Sequence, residues 1–121
     1  MVVELLKEKD IDKVVKLIEK TCRISFKMYY PQSVIDETIK SLDYDGVKKR
    51  ASWTHFYVVK DGDNVVGCGA IGPYWDSVTE SSLFTIFVDP DYQGKGIGKL
   101  IINTLESDEY FLRSSRVEIP A

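Results

Sequence analysis

Six residues near the end of the chain, Gln93-Gly94-Lys95-Gly96-Ile97-Gly98, have the types and spacing of an anion-binding turn. They stand between the apolar run Leu83–Val88 and the helix-patterned segment Ile97–Leu105. A strand, a glycine-rich turn and a helix in that order aim successive backbone N–H groups at one place. The helix macrodipole adds positive potential there. A phosphate or pyrophosphate suits such a turn. Gly94, Gly96 and Gly98 carry no Cβ, so the backbone can approach an anion closely and take positive φ where the turn requires it.

Spacing decides among the glycine-rich motifs. A P-loop needs a glycine five residues before its Gly-Lys pair and Ser or Thr after it. Gly98-Lys99 has Gln93 at the first position and Leu100 at the second, so that reading fails. A dinucleotide fingerprint needs G-x-G-x-x-G. Gly94 and Gly96 supply its first half, but position 99 is Lys, and no strand with an acidic end follows at the expected distance. A third pattern, Q/R-x-x-G-x-G/A, is met by Gln93, Gly96 and Gly98.

The elements that must position this turn follow from periodicity. Val2–Leu5 is a short strand candidate. Asp10 is placed to cap a helix whose apolar face is Ile11, Val14, Val15, Ile18 and Cys22. An unusually aromatic connection, Phe26-Lys27-Met28-Tyr29-Tyr30, leads to Pro31, which fits the start of a second helix with Val34, Ile35, Ile39 and Leu42 inward. Asp43–Arg50 holds Gly46 and reads as a loop with at most one helical turn, and Lys48-Lys49-Arg50 as a solvated helix end. Thr54–Val59 and Val65–Ile71 are strands joined by the hairpin signal Asp61-Gly62-Asp63. Gly67 and Gly69 mark close packing or a bulge in the second. A turn-rich connection, Gly72–Glu80, leads to Leu83–Val88, which is apolar on both faces except at Thr85 and reads as a central, doubly covered strand. Pro90 ends it. The next helix buries Ile97, Leu100, Ile101, Thr104 and Leu105, and Arg116–Ile119 is a last short strand. The order is β-α-α-β-β-β-α-β, in a single domain over residues 1–121 with no repeats and no linkers.

Composition excludes several classes of function. The net charge is −3 and no basic stripe is present, so neither nucleic acid nor an acidic membrane surface is an expected partner. Met1-Val2-Val3-Glu4 has no charged-then-apolar leader, and no apolar run approaches about 18 residues, so the chain reads as cytoplasmic. Cys22 and Cys68 each sit in an apolar pattern and read as small buried hydrophobes rather than a disulfide or a nucleophile. Neither has a Cys or His neighbour at metal-ligand spacing, and no metal is expected.

The segment from Ile86 to Gly98, with Gln93, Gly96 and Gly98 at its key positions, closely resembles the acetyl-CoA-binding motif of the GNAT N-acetyltransferase superfamily. The order β-α-α-β-β-β matches that fold from its first strand. The resemblance implies an α+β fold in three layers, α/β/α, around a mixed, mainly antiparallel central sheet. It implies acetyl-CoA as cofactor, with amide contacts from Gln93, Gly94, Lys95, Gly96, Ile97, Gly98 and Lys99. The charges of Lys95 and Lys99 would lie near the phosphates, although solvated surface lysines are an equal reading. It also implies that the pantetheine arm lies along Ile86, Phe87 and Val88 like an added strand.

Acetyl transfer to an amine needs the amine to lose a proton, a hydrogen-bond donor for the thioester carbonyl, and a proton for the departing thiolate. The resemblance implies direct attack without an acyl-enzyme, and a backbone N–H of Val88 or Phe87 as carbonyl donor. Glu80, where the loop enters the central strand, is the first candidate for the base. His55 is the only histidine; a surface or packed residue is its favoured reading, and Asp76 is weaker than either. Tyr29, Tyr30, Tyr74 and Trp75 are the expected acceptor walls, with Phe26 and Met28 beside them. The function expected is N-acetylation of a primary amine on a small molecule or protein; the alternative is a non-catalytic acyl-CoA-binding sensor or interaction module. A full domain of this family adds a helix, which carries a tyrosine general acid, and usually two more strands. Positions beyond Ala121 would hold them, so the expected fold is C-terminally incomplete. An open strand edge is an association hazard, and a homodimer is one way to cover it.

Overall fold

The computed structural model describes residues 1–73, 80–112 and 116–118. Five strands form one sheet in the order β1-β2-β3-β4-β5: β1 Val2–Leu5, β2 His55–Asp61, β3 Asn64–Pro73, β4 Glu80–Val88 and β5 Arg116–Glu118. The first four pair antiparallel, and β5 joins β4 in parallel. Among the described residues five helices cover it: α1 Ile11–Ile24, α2 Gln32–Ser41, α3 Tyr44–Trp53, α4 Ile97–Glu106 and α5 Glu109–Leu112. The expected α+β architecture of three layers around a mixed sheet is therefore present.

Alternation along the strands sorts the core into two layers. Phe56 and Val58 of β2 join Val14, Ile18, Cys22, Ile35 and Val47 from α1–α3 on one face. Val59 joins Val66, Ile71, Ile97, Ile101 and Leu105 under α4 on the other. Gly67 and Gly69 let α4 settle directly on β3, since a Cβ at Gly69 would lie 2.5 Å from an Ile101 methyl. That contact fixes where the N-terminus of α4 points.

Four local expectations are corrected. Asp10 does not cap α1 with its side chain. It is buried instead, with Oδ2 2.7 Å from Lys60 Nζ, which also meets Glu4 at 2.8 Å. The hydrogen bond from Lys60 holds the Asp10 carboxyl below the usual aspartate range. Residues 44–53 form a full helix rather than a loop. Asp43 caps it by accepting the Gly46 N–H at 2.9 Å, and Val47, with no exposed surface, anchors it with about 1.5–3 kcal/mol of burial. Arg50 of this helix is half-buried and turned onto the sheet, not a solvated end. Val34, expected inward on α2, is 42% exposed, while Ile35 and Leu42 are buried and Ile39 packs against them.

The central strand is not regular. The β3–β4 register slips by one residue between the pairs Cys68–Phe87 and Ala70–Phe84. At the slip Thr85 takes φ +55°, the left-handed region that β-branched residues avoid. Arg50 Nη1 donates to Thr85 Oγ1 at 3.0 Å, and the Cys68 thiol donates to the Thr85 carbonyl at 3.2 Å, so the bulge is held from both sides.

Candidate functional site

The glycine turn follows β4 through a short 3₁₀ turn, Pro90–Tyr92, whose Asp89 side chain accepts the Asp91 N–H at 2.9 Å. Gly94 and Gly96 have φ +81° and +79°, and a Cβ at either would meet nothing within 4 Å. Their glycine character therefore serves the backbone path and the open space above it, not packing in the protein itself. The first ladder bond of α4 runs from Leu100 N–H to the Gly96 carbonyl at 3.0 Å. The amides of Ile97, Gly98 and Lys99 precede it and have no acceptor within the helix. Exposed glycines, orphaned amides and a helix dipole together make a cradle for an anion.

Its surroundings keep it open and electrostatically compatible. Asp89 and Asp91 would repel a phosphate, but Lys20 of α1 meets both, at 2.9 and 2.7 Å. Those hydrogen bonds, Asp91 first, raise the lysine's pKa. Gln93 Nε2 donates to Ser25 Oγ at 3.1 Å and ties the turn to the end of α1. Lys95 is exposed, with Nζ 5.0 Å from the Tyr92 ring centre, and Lys99 is exposed on the first turn of α4.

From this cradle the open edge of β4 runs back toward the bulge. Among the described residues β5 pairs only with Glu80–Ser82. Beyond Ser82 the edge of β4 opposite β3 has no strand partner among them. Asp89 N–H donates to the Val66 carbonyl at 2.9 Å, so pair 66–89 is hydrogen-bonded, and by antiparallel alternation pair 67–88 is not. The Val88 N–H therefore points to the open edge, whereas Phe87 lies at a position bonded to β3. Of the two backbone donors considered from sequence, Val88 has the free direction. Ile86 flanks it, half-buried.

A cavity of about 370 Å³ lies on the α1–α3 face of the bulge, lined by Phe26, Tyr30, Ile35, Arg50, Phe84 and Thr85 among others. Phe26 stacks against both Tyr30 and Phe87, with ring centres 5.5 and 5.6 Å apart. Tyr30 is thus brought to the wall; Tyr29 is 78% exposed and lies outside the lining. Tyr74, Trp75 and Asp76 lie outside the described residues. Glu80 is the first residue of β4, five residues before Thr85, a backbone distance of about 16 Å.

Other ionisable groups are settled by packing. His55 Nδ1 meets both carboxylate oxygens of buried Asp108, at 2.9 and 2.8 Å, and its ring stacks on Tyr110. Tyr57 donates to the same carboxylate at 2.6 Å; burial first and this bond second push its pKa up to about 12. This cluster pins the α4–α5 junction to β2, which bears out the reading of His55 as a packed residue. Both cysteines are fully buried, and burial pushes the Cys68 thiol up to about 12, which opposes formation of a thiolate. Sequence reasoning missed Arg50 at the cavity wall. Its spacing of three from Val47 on one helix face was the available signal.

Comparison with known proteins agrees with this geometry. The family model described as Acetyltransferase (GNAT) family matches residues 12–118. The chain belongs to the GNAT acetyltransferase family. Its relatives catalyse acyl transfer, and the GNAT likeness read from Gln93, Gly96 and Gly98 is borne out. The chain's fold is similar to a PaiA N-acetyltransferase of Thermoplasma acidophilum in complex with coenzyme A (TM-score 0.71, 16% identity, covering 88% of this chain and 70% of that one). It is also similar to a GCN5-related N-acetyltransferase of Ralstonia eutropha (0.72, 12%, 99% and 82%). A third similar structure is Rv2747 of Mycobacterium tuberculosis in complex with CoA and NLQ (0.67, 20%, 98% and 63%). No curated protein matches the sequence. Among the described residues no helix is long and apolar enough to cross a membrane.

Proposed function

We propose that this GNAT chain binds acetyl-CoA and transfers its acetyl group to a primary amine. The observation that carries the reading is the alignment of two features on one strand. The phosphate cradle at Gly94–Lys99 lies at the end of β4, and the edge of β4 that leads back to the cavity has no strand partner among the described residues. A pyrophosphate fits the glycine turn, and the pantetheine amides fit the outward-facing main-chain groups of β4 along Ile86–Val88, the Val88 N–H among them. This arrangement directs the thioester toward the bulge and the aromatic cavity.

In the reaction the amine nitrogen attacks the thioester carbonyl carbon. A C–N bond forms, the C–S bond breaks, the amine loses a proton, and the thiolate leaves to take one up. The Val88 N–H is the proposed donor to the carbonyl oxygen as its charge grows. Glu80 is the proposed proton acceptor, through water. Tyr30 and Phe26 supply the apolar wall that orients the acceptor.

Thiol release from acetyl-CoA, followed across a panel of amines, tests the proposal. Turnover with at least one amine, lowered in Glu80→Gln with CoA affinity unchanged, is the expected result. Tight CoA binding with no turnover on any amine would leave a non-catalytic acyl-CoA-binding module.

A further inference from the structure

Arg50 is the one cationic side chain lining the cavity at the bulge among the described residues. It is half-buried, with its guanidinium carbon 5.2 Å from the centre of the Phe84 ring and one N–H donated to the Thr85 hydroxyl. Among the residues whose side chains are described, no carboxylate lies within ion-pair distance of it. Burial alone acts on it and lowers its pKa, which is what a cation without a counter-ion experiences. A guanidinium has five N–H donors in a planar fork, and a neutral hydroxyl satisfies one. The remaining donors of this half-buried group are available to an anion that enters the cavity.

We propose that Arg50 recognises a carboxylate on the acceptor, and that the acceptor is an amino acid with an apolar or aromatic side chain. This rests on the acetyl-transfer reading and narrows it. The free edge of the guanidinium matches a carboxylate in two parallel hydrogen bonds. Phe26, Tyr30, Ile35 and Phe84 form the apolar surround that a side chain would fill. In an α-amino acid the amine sits one carbon from the carboxylate. An anion held at Arg50 therefore places the nitrogen next to Thr85 and Ile86, where the acyl-bearing arm is proposed to end. A protein N-terminus offers no carboxylate at that spacing, and a polyamine brings only more positive charge.

The test uses the full chain and matched pairs: phenylalanine against phenethylamine, leucine against 3-methylbutylamine, and the remaining amino acids against their decarboxylated forms. Two readouts are taken, thiol release from acetyl-CoA and calorimetric binding to CoA-saturated protein. At least one amino acid should exceed its decarboxylated partner by about tenfold to a hundredfold, the worth of charge-assisted hydrogen bonds. Arg50→Gln should remove that preference by raising KM for the acid far more than for the plain amine, and Arg50→Lys should restore part of it. A wild-type preference for the plain amines overturns the proposal. So does an equal loss for acid and amine in both Arg50 variants, which would make the residue a clamp on the bulge. Arg50-dependent binding of amino acids without turnover would sustain it while defeating the acetyl-transfer reading.

Discussion

Gly96→Ala separates a phosphate cradle from an ordinary tight turn. Gly96 has φ +79°, and alanine costs about 1–2 kcal/mol there. A stiffer unfolded chain returns about 0.4–1 kcal/mol, leaving a net loss near 1 kcal/mol. The new methyl meets nothing within 4 Å, so no steric clash adds to this. An unfolding entropy of about 2.1 cal/mol/K per residue over 121 residues turns that loss into a Tm drop of about 4 °C. The effect on ligand should be larger. The methyl would stand in open space at the N-cap of α4, whose first amides, Ile97, Gly98 and Lys99, are the proposed phosphate donors. Displacing one charge-assisted hydrogen bond, worth about 1.5–3 kcal/mol, weakens CoA by roughly tenfold to a hundredfold. Calorimetric titration with CoA and with pantetheine, which lacks the pyrophosphate, reads the two effects apart, beside a melting curve. CoA affinity should fall and pantetheine affinity should hold. CoA affinity within about twofold of the parent, with the Tm drop present, would reduce the turn to a structural link. An equal loss for both ligands would refute the phosphate assignment.

Three further outcomes follow from packing and titration. Gly69→Ala drives a methyl to 2.5 Å from Ile101 and 3.3 Å from Leu105, and should cost about 1–3 kcal/mol by overpacking; an unchanged melting temperature would mean that α4 does not sit where described. Tyr57 should contribute stability that is complete below pH 10 and lost as pH rises through about 12, because its folded pKa is raised; denaturant midpoints from pH 9 to 12 should fall less steeply in Tyr57→Phe. Cys22 and Cys68 should react with iodoacetamide only on unfolding, measured by mass spectrometry across a urea series, and labelling of the native protein would contradict their burial.

The legible parts of the fold were those whose signal is local. The helix after the glycines announced itself by the 3.6-residue spacing of Ile97, Ile101 and Leu105, and the hairpin by Gly62, which takes φ +62°. Helix α3 was hidden because Val47 is its only fully buried residue, while Gly46 and two exposed lysines imitate a loop. The bulge was hidden for the opposite reason. Threonine favours strands, and nothing at Thr85 signals a left-handed residue; its conformation is held by Arg50 and Cys68, 35 and 17 residues away. Asp108 depends on the same kind of distant pairing, with His55 and Tyr57 more than 50 residues earlier. Motif spacing exposed the cofactor end of the site. The proposed acceptor end draws on the Phe26–Tyr30 connection, α2, α3 and β4, and no single stretch of sequence contains it.

The bulge in β4 also acts as a change of reading frame. Leu83 packs under α4 and Phe87 packs under α1, although they are an even number of residues apart and would share a face in a regular strand. The extra residue at Thr85 inverts parity, so the strand runs Leu83 down and Phe84 up before it, then Ile86 down, Phe87 up and Val88 down after it. The apolar run read as a doubly covered strand is two half-strands in opposite phase. Backbone direction is tied to the same parity, so the orientation of the Val88 N–H and the side of the sheet taken by Phe87 are set by one inserted residue. Straightening the bulge with every residue kept would turn both over at once and exchange the two edges, whereas deleting Thr85 would remove the bulge and leave both where they are.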